Sequence, residues 1–310
     1  MKDFLSISSC TTQELLELLD LSDTLKKYYK KGHRKGYRIE DIIGKMFRKT
    51  LVMLFEKPSL RTRISFEIAM TQLGGNAIYV KPEDIGGIGK REPVKDMARV
   101  LSRYADGIMA RTFAHETVLE LAKYAEIPVI NALTDWSHPC QAMADIMTIR
   151  EHFGKLAGVK IAYIGDGNNV ARSLAFGCAK LGMKIVIASP KGYELDEKSI
   201  TRTNEIVPNT TIQTNNPHEA VKGADVIYTD TWVSMGQEDE KQKRINDFKG
   251  FAVDSALVSA APKAKIMHCL PAYRGYEITD EVMESENSIV FDEAENRLHF
   301  QRALLKKLLS

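Results

Sequence analysis

The sequence predicts an α/β protein built from two doubly wound parallel-sheet domains joined by interdomain helices. The chain has 310 residues, a length that suits two domains of about 150 residues each. Short apolar or β-branched runs alternate with helical patterns, an order typical of parallel sheets in which helices connect the strands. Between two sets of such runs, residues Gln141 to Phe153 carry apolar side chains at helical spacing and predict a connecting helix.

The helices at the two ends of the chain follow from local patterns. A capping box from Thr11 to Glu14 predicts the start of the first helix, whose inner stripe is apolar. The basic run from Lys26 to Arg38 predicts a solvated helix end. The last predicted helix runs from Glu295 to Leu309. The predicted inner stripe of the first helix consists of Leu15, Leu18, Leu19 and Leu25.

Short runs predict strands in two sets, which define the domains. The predicted domains cover residues 1–150 and 151–290, and a C-terminal helix at 291–310 is expected to pack back on the first domain. The first set of strands is predicted at residues 50–55, 76–80, 106–110 and 127–132. The second set is predicted at Lys160 to Ile164, Lys184 to Ala188, Asp225 to Tyr228, Phe251 to Val253 and Lys265 to Cys269.

Composition and charge argue against several classes of protein. The 43 basic and 41 acidic residues give a net charge of +2, too small to predict nucleic-acid binding. No run reaches the roughly 18 apolar residues of a membrane span. The cysteines are scattered without a Cys-x-x-Cys pair, which favours reduced thiols in a cytoplasmic protein over zinc or redox sites. They are Cys10, Cys140, Cys178 and Cys269.

A short basic turn between a predicted strand and a predicted helix is the first candidate site. It contains Ser59, Arg61, Thr62 and Arg63. At a helix N-terminus, backbone N–H groups and the helix dipole favour a phosphate, and hydroxyl and guanidinium groups add donors. The turn has no glycine-rich P-loop pattern, so a small phosphorylated compound is a better candidate ligand than ATP. The alternative is a capped helix with surface arginines.

Polar side chains at two other strand ends of the first set are further candidates. Arg111 follows the third predicted strand, and His138 and Gln141 lie between the fourth strand and the connecting helix. Ligands bind at the carboxyl edge of parallel sheets, where an arginine can hold a carbonyl oxygen or a phosphate. Histidine and glutamine together can contact an amide group. Taken alone, each of these residues could equally be a surface or structural side chain.

The turn from Gly165 to Ala171 resembles a dinucleotide-binding turn, because a Gly-x-Gly follows a strand and opens a helix. The next strand ends at Ile187 to Lys191 without an acidic side chain for a ribose, so we do not expect a nicotinamide cofactor. The adjacent Asn168 and Asn169 instead present amide groups to a polar ligand.

An acidic residue after a strand of the second set predicts a site for a cationic ligand. Asp230 could bind an ammonium group, and Ser234 with the backbone beside Met235 could receive a carboxylate. Cys269 follows the last predicted strand, where a thiol near Asp230 could help to remove a proton from that ammonium. The alternatives are a turn that only caps the next helix and a cysteine buried in the core.

These motifs resemble those of the aspartate and ornithine carbamoyltransferase family. The turn at 59–63 is similar to the family's Ser-Thr-Arg-Thr-Arg, with Leu60 in place of the first threonine, and residues 138–141 are similar to its His-Pro-x-Gln motif. Asp-x-x-x-Ser-Met-Gly at 230–236 and His-Cys-Leu-Pro at 268–271 are similar to the ornithine branch. In the aspartate branch, basic residues and a proline take these places.

The resemblance implies transfer of the carbamoyl group of carbamoyl phosphate to the δ-amine of L-ornithine, giving L-citrulline and phosphate. Arginine biosynthesis is the expected pathway, and arginine breakdown, which uses the same site, is the alternative. The first domain would bind carbamoyl phosphate and the second L-ornithine, with no cofactor or metal, in a homotrimer or an assembly of trimers. The implied catalytic residues are Cys269, Arg111 and His138. The implied carbamoyl-phosphate contacts are Ser59, Leu60, Arg61, Thr62, Arg111, His138, Gln141, Cys269, Leu270 and Arg297. The implied ornithine contacts are Asn169, Asp230, Ser234 and Met235.

The glycine-rich loop at 84–93 is predicted to be mobile, as a lid or as a solvent-facing connection. In the family this loop offers a glutamine or histidine to the phosphate. Gly86 or Gly87 takes that position here, so Lys90 or Arg91 would supply the charge. The alternatives to the whole interpretation are a carbamoyltransferase with another acceptor, such as putrescine or an acylated ornithine, a nicotinamide-dependent dehydrogenase, and a ligand-binding protein without turnover.

Overall fold

The computed structural model describes residues 1–31 and 46–310 and divides into two compact units. Unit 1 comprises Met1–Ala144 and Asn296–Ser310, and unit 2 comprises Asp145–Glu295. Each unit contains one parallel sheet with helices, so the predicted α/β class is confirmed. Within the described ranges, no helix is long and apolar enough to cross a membrane.

The sheet of unit 1 has four parallel strands in the order β2-β1-β3-β4. Apolar side chains of β1 and β3 lie in the buried core, which explains the apolar runs in the sequence. The chain reverses its direction of strand addition between β1 and β3, and such a switch point is where ligands bind in α/β sheets. The strands are β1 (Thr50–Phe55), β2 (Asn76–Val80), β3 (Gly107–Arg111) and β4 (Val129–Leu133).

Helices cover the sheet of unit 1, and the first of them begins at the predicted capping box. The Thr11 Oγ1 accepts from the Glu14 N–H at 3.1 Å, and the Glu14 carboxylate accepts from the Thr11 N–H at 2.8 Å. The predicted leucine stripe is buried. The helices are α1 (Thr12–Lys31), α2 (Leu60–Gln72), α3 (Pro82–Ile85), α4 (Val94–Tyr104), α5 (His115–Tyr124) and α6 (Pro139–Phe153).

The predicted solvated end of the first helix is wrong at Lys26. This side chain is buried, and its Nζ donates to Asn296 Oδ1 at 2.7 Å. Burial of the aliphatic stem with a partner for the ammonium group explains how a basic run can enter the core. The part of the basic run from residue 32 to residue 38 lies outside the described residues.

The sheet of unit 2 has five parallel strands in the order β7-β6-β5-β8-β9, with the switch point between β5 and β8. The strands are β5 (Lys160–Ile164), β6 (Lys184–Ala188), β7 (Thr211–Thr214), β8 (Val226–Thr229) and β9 (Lys265–His268). The helices are α7 (Asn169–Leu181), α8 (Glu197–Ile206), α9 (Pro217–Ala220), α10 (Lys241–Asp247), α11 (Ser255–Val258), α12 (Asp280–Met283) and α13 (Val290–Leu309).

Two strand assignments in unit 2 differ from prediction. The segment Phe251–Val253 is not a strand, since Val253 makes only an isolated bridge to Ile278. Its apolar character reflects burial against the core instead. The edge strand β7 was missed because its sequence, Thr-Ile-Gln-Thr, carries too little apolar signal, as expected for a strand paired on one side.

Candidate functional site

The predicted anion turn lies where the carboxyl end of β1 meets the start of α2. Ser59 is the N-cap of α2, and its Oγ accepts from the Thr62 N–H at 3.3 Å. Leu60 is the first helical residue, with a side chain that is 74% exposed. The turn therefore presents the N-terminus of a helix at the switch point of the sheet, the geometry that favours an anion.

Arg111 is the last residue of β3, beside this turn. It is paired in register with Phe55, and its carbonyl accepts from the Glu56 N–H at 2.8 Å. The register of β3 with β4 shifts between Ala110 and Arg111. An irregularity of this kind re-aims a side chain at the end of a strand. The Arg111 side chain is buried, and its Nε has no hydrogen-bond partner among the described residues.

Arg297 on α13 links the turn to the start of α6. Its guanidinium donates to Gln141 Oε1 and, at 3.2 Å, to Thr62 Oγ1. His138 immediately precedes α6, and its carbonyl accepts from the Gln141 N–H at 3.2 Å. All four side chains are buried. We call the following residues the anion cluster: Ser59, Arg61, Thr62, Arg111, His138, Gln141 and Arg297.

The electrostatics of the anion cluster favour a ligand with negative charge. Burial, together with the nearby positive charges of Arg297 and Arg61, lowers the pKa of Arg111 to about 9. The same causes, burial first and then Arg297 and Arg111, hold the pKa of His138 well below its usual value. His138 is therefore neutral at pH 7, and an anion would relieve the repulsion among the guanidinium groups.

In unit 2, Asp230 lies directly after β8 and is held by three donors. Its Oδ1 accepts from the Thr231 N–H at 2.7 Å and from the Cys269 thiol at 2.9 Å. Its Oδ2 accepts from Asn168 Nδ2 at 2.9 Å. Asp230 is only 6% exposed, so these donors replace the water that a carboxylate needs. Asn168, Asp230 and Cys269 form what we call the Asp230 cluster.

The sequence offered both Asn168 and Asn169 as amide groups for a polar ligand, and the resemblance assigned only Asn169 to ornithine. Asn168 is the N-cap of α7, and its Oδ1 accepts from the Val170 N–H at 2.9 Å while its Nδ2 is directed to Asp230. Asn169 is the first residue of α7 and is partly buried. The preference of asparagine for N-cap positions was the signal that could have identified Asn168.

Gly167 fixes the turn in front of this asparagine. A Cβ at position 167 would lie 2.1 Å from the Leu195 backbone nitrogen, and the Gly167 N–H donates to the Tyr193 carbonyl at 2.8 Å. Backbone of residues 193–195 thus occupies the space against the Gly-x-Gly turn. In dinucleotide-binding proteins, the second glycine serves the close approach of a pyrophosphate to the backbone at this place.

The sulfur of Cys269 is a thiol at neutral pH. Burial raises the pKa of Cys269 well above its usual value, and the charges of Asp230 and Glu293 add to this effect. His268 Nδ1 accepts from the Leu270 N–H at 2.9 Å, and its Nε2 donates to Glu277 at 3.0 Å. Although Asp230, His268 and Cys269 place ligand-type atoms within 4.8 Å of one another, both imidazole nitrogens and the thiol are already engaged, so this trio does not fit a metal ion.

The remaining predicted contacts lie in several different parts of the chain. The Ser234 N–H donates to Gln237 Oε1 at 3.0 Å, and the Met235 side chain is 43% exposed. Cys269 and Leu270, which were assigned to carbamoyl phosphate, belong to unit 2, whereas the other residues of that set belong to unit 1. In the loop at 84–93, Ile85 ends α3 and Gly86 follows with a positive φ of 72°.

Two family models match the chain. Residues 2–151 match the carbamoyl-P binding domain of aspartate/ornithine carbamoyltransferase, and residues 157–308 match the Asp/Orn binding domain. The chain belongs to the aspartate/ornithine carbamoyltransferase family. The resemblance inferred from the motifs is thereby confirmed.

Individual relatives of this carbamoyltransferase agree over nearly the full length. The chain is 54% identical to ornithine carbamoyltransferase of Bacillus subtilis, over 96% of this chain and 94% of the relative. It is 51% identical to ornithine carbamoyltransferase of Carboxydothermus hydrogenoformans, over 99% and 97% respectively. The solved structure of ornithine carbamoyltransferase from Pyrococcus furiosus superposes with a TM-score of 0.93 at 48% identity, covering 99% of this chain and 97% of that one.

Arg244 on α10 is a further residue of this carbamoyltransferase that sequence reasoning missed. Its guanidinium donates to Asp166 Oδ2 at 2.7 Å and to the Trp232 carbonyl at 3.0 Å, and it also pairs with Glu240. It therefore ties the Gly165–Asn168 turn to the segment after Asp230. A cavity of about 130 Å³ lies against that segment and is lined partly by Trp232. Within the charged run from residue 238 to residue 244, no spacing distinguishes this arginine from its neighbours.

Proposed function

We propose that this carbamoyltransferase transfers the carbamoyl group of carbamoyl phosphate to the δ-amine of L-ornithine, giving L-citrulline and phosphate. The observation that carries the proposal is the Asp230 cluster within the part matched by the acceptor-binding family model. A buried carboxylate with three donors suits an acceptor that carries ammonium groups. The side chain of aspartate, the other acceptor in the family description, is an anion that such a site repels. The relatives compared above carry the ornithine name as well.

In the proposed complex, unit 1 binds carbamoyl phosphate at the anion cluster. Ser59, Arg61 and Thr62 hold the phosphate with hydroxyl, guanidinium and backbone donors, and Leu60 contributes its backbone N–H. The support for this assignment is the helix N-terminus at the switch point together with the clustered guanidinium groups. Loss of one hydroxyl at Leu60 leaves the backbone donor in place.

The carbamoyl group itself is assigned to Arg111, His138, Gln141 and Arg297. When the ornithine amine attacks the carbonyl carbon, negative charge grows on the carbonyl oxygen before the C–O bond to phosphate breaks. Buried donors fixed in advance stabilise that charge more than water does. His138 fits this role because its lowered pKa leaves a neutral imidazole, which can donate a hydrogen bond without titrating.

We assign L-ornithine to unit 2, with Asn169, Ser234 and Met235 around its amino-acid end and Asp230 bound to an ammonium group. An amine must be neutral to attack, and a lysine-like amine titrates near 10.4. The Cys269 thiol, which donates to Asp230 Oδ1, would relay the proton: it passes its own proton to the Asp230 carboxylate while the sulfur takes one from the ammonium group. A bound ammonium beside the sulfur offsets part of the cost of forming a thiolate, so proton transfer would be coupled to substrate binding.

The test is citrulline formation from carbamoyl phosphate with L-ornithine, run beside putrescine, N-acetylornithine and L-aspartate. Turnover confined to ornithine is expected. Turnover with another acceptor alone would retain the carbamoyl phosphate assignment and overturn the ornithine assignment. Binding without any turnover would favour a ligand-binding role, and reduction of a nicotinamide cofactor would favour a dehydrogenase.

Replacing Arg244 with glutamine is expected to raise KM for ornithine about tenfold, with little change in KM for carbamoyl phosphate. The Trp232 carbonyl and Asp166 lose their charged donor, so the segment that carries Ser234 loses its anchor. Steady-state kinetics with each substrate varied in turn measure the effect. Lys243→Gln is the control, because that neighbouring side chain is 71% exposed. Equal effects in the two variants would contradict the anchoring role.

We further propose that the protein is a homotrimer or an assembly of trimers. Leu60, Ile64 and Ile68 lie four residues apart on α2 and share one face of the helix, yet all three are exposed. Ile78 on the edge strand β2 is also exposed. Exposed apolar side chains grouped in this way are typical of subunit interfaces. Leu60, which departs from the family motif, extends this apolar stripe.

Replacing Ile68 with glutamate is expected to dissociate the assembly, because a charge in an apolar interface must be desolvated without a partner. Sedimentation velocity should show a shift from an oligomer to a smaller species. Val207→Glu introduces the same charge at a 42% exposed apolar residue of unit 2 and should leave the oligomer intact. A wild-type sedimentation coefficient for the Ile68 variant would argue against this face as the interface.

We assign the enzyme to arginine biosynthesis in the cytoplasm. Carbamoyl phosphate is a mixed anhydride, so transfer to an amine runs strongly toward citrulline, the direction that synthesis requires. All four cysteines are free thiols, which suits a reducing compartment. Expression in a bacterial strain that lacks its own ornithine carbamoyltransferase should restore growth without arginine. Failure to restore growth despite active enzyme would contradict the biosynthetic role.

A further inference from the structure

Two carboxyl groups that the proposed reaction does not use meet in the interior of unit 2. Asp145 comes from α6 and Glu293 from α13, and both are fully buried. The hydroxyl of Tyr228, on β8, lies 3.2 Å from Asp145 Oδ2 and 3.2 Å from Glu293 Oε1. Both carboxyl groups therefore face the same hydroxyl group. Three elements of the unit thus converge on one polar contact within the core.

The protonation of the pair follows from the groups that meet in this contact. Two ionised carboxyl groups around one hydroxyl offer only acceptors and repel each other in a buried place. The Tyr228 hydroxyl supplies one proton and can donate it to only one carboxyl group at a time. Burial, followed by the charge of Asp145, raises the pKa of Glu293 well above its usual value. Burial of both groups and the raised pKa of Glu293 favour retention of a proton by the pair.

The pair is connected to the Asp230 cluster through the backbone. Glu293 Oε2 accepts from the His268 N–H at 2.9 Å, and the next residue is Cys269, whose thiol donates to Asp230. Movement of Glu293 would move the residue that carries the thiol. Among the described residues, the titratable groups around the pair include Tyr163, Cys178, Tyr228, His268 and Cys269, with Asp230 beyond the sulfur.

We propose that Asp145 and Glu293 are positioning residues: a carboxyl pair that shares one proton, holds the His268–Cys269 backbone in place and thereby limits the pH range over which the Asp230 cluster stays assembled. The role in ornithine use rests on the proposed function, whereas the shared proton does not.

The direction of the pH effect follows from the proton that the folded state retains. Unfolded, Glu293 would release this proton near its ordinary value of 4.5. Because its pKa is raised in the folded protein, the stability that the proton contributes is fully present below that value and is lost as pH rises through the raised pKa. Above that point both carboxyl groups are charged, and they repel each other and the charge of Asp230.

The first test measures stability without substrates. Glu293→Gln and Asp145→Asn keep the size of each side chain and replace the shared proton with a permanent amide donor. Between about pH 5 and pH 9, the melting temperature of the wild type is expected to fall relative to both variants. Glu205→Gln, at an exposed carboxylate on α8, should instead follow the wild type at every pH. A melting-temperature difference between the wild type and both amide variants that stays constant with pH would show that the pair does not share a proton.

The second test measures the pH profile of kcat/KM for ornithine. In the wild type, activity should decline on the alkaline side as the pair loses its proton, and in Glu293→Gln this decline should shift by at least one pH unit upward. The same alkaline decline in the wild type, both amide variants and Glu205→Gln would overturn the positioning role. If the wild type produces no citrulline, the function proposal fails, and the stability test still decides whether the proton is shared.

Discussion

Replacing Arg111 with methionine is expected to lower kcat/KM for carbamoyl phosphate by about 10³-fold while the protein stays folded. The guanidinium lies at the switch point of the first sheet, where it would stabilise charge on the carbonyl oxygen in the transition state. Methionine keeps the apolar stem and removes the charge. Steady-state kinetics with saturating ornithine, together with thermal unfolding at pH 7, measure the two effects.

The effect of this substitution on the melting temperature is more informative than its effect on kcat/KM. The pKa of Arg111 in the folded protein, about 9, lies well below the ordinary value of an arginine, so charging this side chain opposes folding at every pH below about 9. At pH 7 the melting temperature of the methionine variant should therefore equal or exceed that of the wild type. A variant with lower activity and undiminished stability is typical of a residue kept for function. Arg99→Met, at an exposed arginine paired with Asp96, is the control and should keep activity within about twofold. Comparable losses of kcat/KM in both variants would show that Arg111 is not part of the carbamoyl phosphate site.

Replacing Asp230 with asparagine is expected to lower kcat/KM for ornithine by about 10²-fold to 10³-fold. The change removes the negative charge that the acceptor's ammonium group needs. The amide also replaces one acceptor oxygen with a donor, so either Asn168 Nδ2 or the Thr231 N–H and the Cys269 thiol lose their acceptor. Because Asn168 also caps α7, some loss of stability should accompany the kinetic effect. Kinetics with ornithine varied at saturating carbamoyl phosphate measure it.

The Asp230 variant should leave the anion cluster intact. Inorganic phosphate is expected to raise the melting temperature of the variant by the same amount as that of the wild type. Asp239→Asn, at an exposed acidic residue on the same connection, should keep kcat/KM within about twofold. Loss of the phosphate effect in the Asp230 variant would mean that the substitution acts through general unfolding, and full activity would exclude Asp230 from acceptor binding.

The parts of the fold predicted well are those in which a strand is buried on both faces. Lys160–Ile164 and Lys184–Ala188 were predicted to the residue, because central parallel strands need continuous apolar runs. The edge strand β7 lacks that requirement and was missed. Phe251 and Val253 gave the opposite error, since burial beneath the sheet selects apolar residues as strongly as strand pairing does.

The same distinction holds for the candidate site. Residues that follow central strands, such as Arg111 and Asp230, could be chosen from sequence because topology alone places them at the ligand edge. Arg244 and the pair of Asp145 and Glu293 could not be chosen, because their partners are distant in the chain and only the folded structure brings them together. Side chains that only position other residues leave no recognisable pattern in the neighbouring sequence.

The division of unit 1 into two separate stretches of chain has a consequence for its assembly during translation. Arg297, which bonds to Gln141 and Thr62, is synthesised only after the roughly 150 residues of unit 2. At elongation rates of about 5 to 20 residues per second, synthesis of unit 2 takes roughly 8 to 30 s. The other members of the anion cluster are already synthesised during this time, and Arg297 is not. During that interval unit 2 can fold as one continuous segment. Unit 1 still lacks the guanidinium group of Arg297. The anion cluster is therefore complete only after the whole of unit 2 has been synthesised.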